Sequence, residues 1–472
     1  MFATLLKKDI LLMLKDLKFQ LFSLLILALF LVSSLAFTVK FKTEQKEFLK
    51  TVNQQRESIA TYTGNMAKAL GQHIYYLAPP QPESIVMKKR GFPDALKSPT
   101  TFFDPETNRK ISQFKTAFEL NWLFIIGMLG SFAALLFSYD AVSSEKESGG
   151  LRLLTVNGVT RIKCLLSKYI SVMFIFSLSF ALGFLLSVAV IYIVSGSFST
   201  ALFIKLLLFT AISLLFISFF ALAGIRISMS KNIRNNIVAA LTFWLIFLII
   251  IPNLSAVIGT KIYPLKPKKF YQDKAGSAYN EVFQGWQKKC EGKGKGGNNP
   301  VGGNGDLENG YRAQAVLESN TARTKVWEEE RGEAVKQVIM TEKLSMISPY
   351  SVLEKIGEII FDQGLYRYFR DKEQFKNRFD KIKQTLIAED AKDEISYHLF
   401  YSWAASDDWM NDYDTFTNKP YPKPEEFLMT SYRQESIANK LHKIYAYIIL
   451  LLFYNIAMFA IDTLKIRKLD VR

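Results

Sequence analysis

The sequence predicts an all-α polytopic membrane protein with six transmembrane helices, an N-terminal interfacial helix and a mainly helical extracytoplasmic domain between spans five and six. Three observations predict it. Hydrophobic residues make up 49% of the 472 residues, and the mean hydropathy of +0.11 is too high for a fully soluble chain of this size. The apolar residues are gathered into six blocks of membrane length, where about 20 residues of helix cross a hydrocarbon core about 30 Å thick. Among the short loops, Lys and Arg gather on one side, as the positive-inside rule requires of a multi-pass protein.

In chain order, FATLLKKDILLMLKD places Phe2, Leu5, Leu6, Ile10, Met13 and Leu14 on one side and Lys7, Lys8, Asp9, Lys15 and Asp16 on the other. Residues 1–18 are therefore expected to form a cytoplasmic interfacial helix. The run 19–38 is longer than the roughly 7–15 residues of a signal h-region and reads as an uncleaved first span. Phe48, Val52, Ile59 and Met66 continue a helical spacing beyond it, which predicts a helix leaving the membrane as one strand of a coiled-coil-like pair. Prolines from Pro79 to Pro105 then make the rest of the first extracytoplasmic segment, 39–118, irregular.

Span two is expected at 119–138, a cytoplasmic segment at 139–169, and spans three to five within 170–258, as the runs 170–194, 201–224 and 237–258. A large extracytoplasmic domain follows at 259–443, then span six at 444–461 and a cytoplasmic tail at 462–472. With both termini inside, the cytoplasmic pieces carry sixteen Lys and Arg, and the short outer turn SGSFST carries none. The net charge of +16 comes largely from the cytoplasmic pieces and the first outer loop, and it reads as a topology and lipid-headgroup signal rather than a nucleic-acid footprint. In the large domain, 268–290 and 311–345 read as helices flanking EGKGKGGNNPVGGNGD, a flexible glycine-rich tip. Val352, Ile356, Ile359 and Ile360 form one face of a helix packing on the domain or the outer leaflet, a helical pattern covers 371–400, and a final helix from about 424 runs on into span six.

Several chemistries are excluded. No G-x-x-x-x-G-K-[ST] phosphate loop occurs, so GKGKGG is no nucleotide site. Asp407, Asp408, Asp412 and Asp414 lack the calcium-loop register, leaving no metal site and no bound cofactor expected in this chain. His73, His398 and His442 are scattered outside the spans, and no Ser/His/Asp grouping or paired carboxylates suggest an enzyme. Glu119 and Lys205 sit near span ends, where they are expected to snorkel, so no ionisable group is foreseen within the bundle. Cys164 and Cys290 fall on opposite faces of the membrane and cannot pair. In span three, Ser179, Gly183 and Ser187 recur every fourth residue, a spacing that serves close helix packing or a dimer seam.

The most informative stretch is SSEKESGGLRLLTVNGVTRIKCLLSKY, residues 143–169. Serines and two glycines bend the chain, Leu151, Leu153, Leu154 and Val156 offer one apolar turn beside Arg152, and Asn157-Gly158 forms a turn. Thr160 is placed to cap the next helix, and Arg161, Lys163 and Lys168 are placed to anchor it at the headgroups. This predicts a short amphipathic helix on the cytoplasmic face, tied tightly between two spans, which a partner can push.

That stretch resembles the coupling-helix region of type-two ATP-binding-cassette (ABC) transporter permeases, with Glu145, Lys146, Glu147, Gly149, Leu151, Leu154, Arg161 and Lys168 in the family's places. The KKDILLMLKD entry helix and the six spans extend the likeness over the membrane half, toward a branch with large extracytoplasmic loops. Gly150 stands where the family usually has Thr, and Asn157-Gly158 replaces a proline-containing turn. The resemblance implies docking of a separate cytoplasmic ABC ATPase through 144–158, on Glu145, Lys146, Glu147, Gly149, Gly150, Leu151, Arg152, Leu153, Leu154, Val156 and Arg161. ATP and magnesium would belong to that ATPase. It further implies a second permease copy or paralogue, lipid contact and a bacterial inner-membrane location. Export of a hydrophobic or amphipathic substrate is the expected function. The alternatives are mechanotransmission to an envelope partner and, with less in its favour, a sensor or scaffold.

Overall fold

The computed structural model describes residues 2–64, 69, 75–76, 79–80, 82–87, 120–195, 199–230, 233–293, 297, 299, 301, 311–392, 420–430 and 435–468. Met66, Glu119, His73, His398 and the acidic loop around Asp407 lie outside these residues, as does most of the glycine-rich stretch.

Six helices are long and apolar enough to cross a membrane. Helix α1 (Phe2–Lys15) buries Leu5 and Asp9, one turn apart, against the third span. Asp16 then caps α2, accepting a hydrogen bond from the Lys18 amide at 2.9 Å. Helix α2 (Leu17–Thr63) runs unbroken for 47 residues, about 70 Å at 1.5 Å per residue. Its first half is apolar. Its second half buries Val52 and Ile59 and, among the described residues, packs on 424–429 rather than on a second helix of a coiled coil.

Span two, α3 (residues 122–138), starts at Asn121, whose side chain accepts from the Phe124 amide at 2.9 Å. It passes through a π-helical segment, Ile125–Gly130, before returning to regular helix. The coupling segment supplies α4 (Ser143–Glu147) and α5 (Gly150–Val156), and spans three and four are α6 (Arg161–Ser195) and α7 (Thr200–Ser228). Span five, α8 (Arg234–Ile262), carries a second π segment at Ile246–Ile250. Beyond it come the helical pair α9 (Lys268–Lys289) and α10 (Tyr311–Ser345), then α11 (Pro349–Ile360) and α12 (Gly364–Asp390). Span six is α13 (Ile437–Arg467).

The segment from 424 is not a continuous helix into span six. It forms a short 3-10 turn at Pro424–Phe427 and then β2 (Leu428–Met429), which pairs in parallel with β1 (Tyr75–Tyr76). Ser436 restarts the helix as an N-cap, accepting from the Asn439 amide at 3.3 Å.

The core is aromatic. Phe30 stands edge-on to Trp122 at 5.2 Å between ring centroids, Phe19 stacks on Phe137 at 4.0 Å, and Phe216, Phe219 and Phe220 continue the column into α7. In lipid such rings hold helices together by packing contacts and edge-to-face geometry, because hydrocarbon already solvates apolar surface. Span four is the most buried of the six and span five the least. Small residues set the close approaches: a Cβ on Gly183 would meet the Phe30 ring at 2.5 Å, and one on Gly224 would collide with the Ser138 hydroxyl.

Helix α11 departs from the sequence expectation. It enters the bundle and buries Val352, Leu353, Ile356, Gly357 and Ile359, while Lys355 ties it to Glu342 of α10 at 2.7 Å. Both π segments receive it. The Tyr350 ring fills the space left by the missing side chain of Gly127, and Ser348 Oγ donates to the carbonyl of Phe247. The far end of α11 is held by charge. Asp362, at a left-handed φ of 53°, accepts from Arg370 Nη1 at 2.9 Å and from Lys440 Nζ. Lys205 does not snorkel: it is 2% exposed and donates to Glu83 at 2.8 Å.

Candidate coupling site

Residues 139–169 gather the same end of the spans. Tyr139 ends span two, and α4 follows at once, tied down by backbone and side-chain bonds to two other spans. Val142 donates its amide to Ser228 Oγ of α7 at 3.3 Å, and Asn236 of α8 reaches the Tyr139 carbonyl at 3.2 Å and Ser143 Oγ at 3.3 Å. Gly149, at φ 74°, turns the chain in the left-handed region between α4 and α5, where a side chain would be strained. Gly158, at φ 77°, does the same before α6.

The apolar turn of α5 divides into two faces. Leu151 is buried, with Leu154 half-buried beside it, in a cluster of Leu5, Val142, Val159, Cys164, Leu165, Ile225, Met229 and Ile466. This cluster joins α1 to the ends of spans three, four and six. Leu153 and Val156 point the other way and are 65% and 78% exposed. Arg152, Glu147 and Gly149 are exposed around them, whereas Lys146 and Gly150 are half-buried. The result is an exposed apolar tooth ringed by charge on a helix rooted in the bundle core.

The charges behind it are not free anchors. Lys168 Nζ lies 2.6 Å from Glu145 Oε1 and 3.0 Å from Asp9 Oδ1, and Ser167 Oγ donates to Asp9 Oδ2 at 2.5 Å. Lys168 is thus the centre of a largely buried bridge from the first turn of the coupling segment to α1, not a headgroup anchor. Arg161 Nη1 donates to the Arg467 carbonyl at 2.8 Å, closing the C-terminal end of span six with a cation. Lys163 is exposed.

Glu145, Leu151, Leu154 and Arg161 are brought together as the rooted side of the segment. Glu147, Arg152, Leu153 and Val156 form the presented side. Ser167, Ser228 and Asn236 were not among the residues singled out from the sequence, and Asp9, expected on the polar side of α1 opposite Leu5, is instead buried on the same face as Leu5. Asp9 had a signal, since it lies four residues after Leu5 on the same helical face. Ser179, Gly183 and Ser187 face span one of the same chain: Ser179 Oγ lies 3.0 Å from Ser23 Oγ, Gly183 sits under Phe30, and Ser187 Oγ donates to the Phe30 carbonyl at 3.5 Å. They pack helix on helix within the chain.

Six helices of membrane length, with a short helix rooted at the ends of three of them and its apolar tip exposed, give the architecture of a multi-pass membrane protein. The family comparison agrees: residues 3–356 match the model of the ABC-2 family transporter protein. The chain belongs to this family of ABC-2 type permeases, the membrane components that associate with an ABC ATPase subunit. No curated protein and no solved structure matches it.

Proposed function

We propose that this permease exports a hydrophobic or amphipathic substrate from the bacterial cytoplasm, driven by a separate ATPase that docks on α5. The observation that carries this reading is the division of α5, with Leu153 and Val156 exposed on one side and Leu151 rooted in the cluster on the other. A force on the exposed pair passes through Leu151 to α1 and to three spans, and through the Glu145–Lys168–Asp9 bridge to the same elements. The sixteen Lys and Arg of the pieces on this side support a cytoplasmic position for it and for both termini. The aromatic interior suits an apolar cargo. ATP and magnesium then belong to the ATPase, and a second permease copy or paralogue packs on the exposed apolar faces of α2 and α8, since the small-residue face of α6 is covered.

The test is co-purification of the ATPase with the permease from its native membrane. Leu153→Glu with Val156→Glu should remove the ATPase while the permease stays inserted and monodisperse. Charge reversal at Glu147, which is exposed, should weaken the association, whereas reversal at Glu145 would first break its bond to Lys168. Undiminished ATPase recovery from the double variant would overturn docking on α5.

A second reading is favoured by α2, which continues from the bundle into the large domain without a break. In that reading hydrolysis moves α2 and the α9–α10 pair to act on an envelope partner without cargo. Recovery of an envelope protein with the complex would favour it over export.

A further inference from the structure

The apolar run of span six stops at Ile461, but the helix does not. Helix α13 continues to Arg467, and Asp462 within it is 0% exposed. The buried positions of α13, Ile444, Leu451, Asn455, Asp462 and Ile466, recur at intervals of four and seven and form one stripe against the bundle. Asn455 donates to the Leu215 carbonyl of α7 at 2.9 Å, so the stripe follows the seam between spans six and four. Asp462 lies on this seam between Asn455 and Ile466, and Ile466 belongs to the same cluster as Leu151 of the coupling helix.

Among the described residues, neither carboxylate oxygen of Asp462 has a hydrogen-bond partner. The charge that acts on it is Arg226 of α7, near the end of that helix, and no ion pair joins the two among the described residues. An ionised carboxylate buried with no donor is among the least favourable arrangements in a membrane protein, whereas the neutral acid is far cheaper to bury. A metal ion does not fit. Among the described residues no group of three His, Cys, Asp or Glu side chains is present, and the nearby charge is a cation. A proton needs no such ligand set.

We propose that Asp462 is a proton-binding site: it holds a proton while α5 is packed on the bundle as seen here, and gives it up when α5 moves. The proton passes to water at the coupling-segment end, and the carboxylate left behind pairs with Arg226. The link to α5 is physical. Leu151 packs in the cluster that covers the end of span six, with Phe459 and Ile466 on either side of Asp462, and Arg161 holds the Arg467 carbonyl. Withdrawing Leu151 opens the cluster to water beside the carboxyl. The site is independent of what docks on α5.

The full chain in lipid nanodiscs tests this by infrared difference spectroscopy between about pH 6 and about pH 9, a range in which ordinary carboxyls stay ionised. The wild type should show the carbonyl band of a protonated carboxyl that disappears as pH rises, and Asp462→Asn should lack it. Asp462→Glu should shift the band rather than remove it, and serves if Asp462→Asn does not fold. Arg226→Gln should keep the proton on to higher pH, because the ionised form loses its favourable neighbour. Leu151→Ala should reduce the band at low pH at least twofold by admitting water. A wild-type spectrum without the band at about pH 6 would overturn the site, and a band unchanged by Leu151→Ala would overturn its link to the coupling helix.

Discussion

At the scale of single residues, the buried polar groups hold the least forgiving positions. Lys168 neutralises two carboxylates, and Asp9 is only 2% exposed. Removing the cation strands charge that water cannot reach, so Lys168→Met should destabilise the chain by about 3 kcal/mol. The exposed Lys163→Met should cost less than about 0.5 kcal/mol. Melting of the detergent-solubilised variants compares them directly. Gly183→Ala places a methyl 2.5 Å from the Phe30 ring, which Trp122 and Phe180 hold from other sides. Overpacking there should cost about 1–3 kcal/mol in the same melt.

Glu426 carries a pH dependence. Burial alone would raise its carboxyl, but Lys381 Nζ at 2.7 Å and the Tyr421 hydroxyl at 2.9 Å outweigh burial and hold it below the usual range. A carboxyl lowered on folding adds stability above its unfolded value of about 4.3, and that stability is lost as pH falls through the folded value. The 420–430 region should therefore loosen first in acid, seen as amide exchange gained below about pH 4 and absent in Glu426→Gln. Little of this was readable from the chain. Asp9 and Lys168 are 159 positions apart, and nothing local announces that they meet.

At the scale of elements, legibility followed periodicity. The helical pair α9 and α10 was evident because apolar spacing and a glycine-rich break are local signals, and the coupling helix was evident because its apolar turn, glycines and turn residues lie within one short stretch. The placement of α11 was not. Its apolar face suits a membrane surface as well as a bundle interior, and only Gly127 and the displaced Phe247 carbonyl, from two other spans, make the interior available. Tyr350→Ala empties a volume that no neighbour can fill and should cost about 3 kcal/mol, with faster amide exchange confined at first to 346–360. Helix α2 makes the converse case, since its length follows from an uninterrupted run of helix-compatible residues. A proline at the exposed Lys50 should break it, costing about 3 kcal/mol or more, and should uncouple probes on the two halves in pulsed-dipolar distance measurements.

At the scale of the whole molecule, burial is distributed unevenly. Span four is enclosed, while spans five and six turn most of their surface outward. The exposed side of α8 is apolar at Val238, Leu245 and Ile249 but also carries Thr242 and Asn253, polar groups that favour a protein neighbour over lipid. With a second copy on this face, single cysteines at Leu245 or Ile249 should cross-link between chains in native membranes, and a cysteine at Ser187, which is fully buried, should not. Cross-linking at neither α8 position would remove α8 from the interface.

The sequence by itself determined the six spans, the membrane setting and the short helical turn between spans two and three. Insertion into lipid depends on a sum of transfer free energies along a continuous stretch, and a turn depends on neighbours in the chain. Only the tertiary structure decided which polar groups are buried and what they serve. Lys205 became half of an internal pair, Ser179, Gly183 and Ser187 became the bed of span one, α11 became a wedge, and Asp462 became an enclosed carboxyl one residue past the end of an apolar run. The physical reason is that burial is set by groups far apart in sequence that share space after folding, and a hydropathy pattern carries no record of which helix faces which.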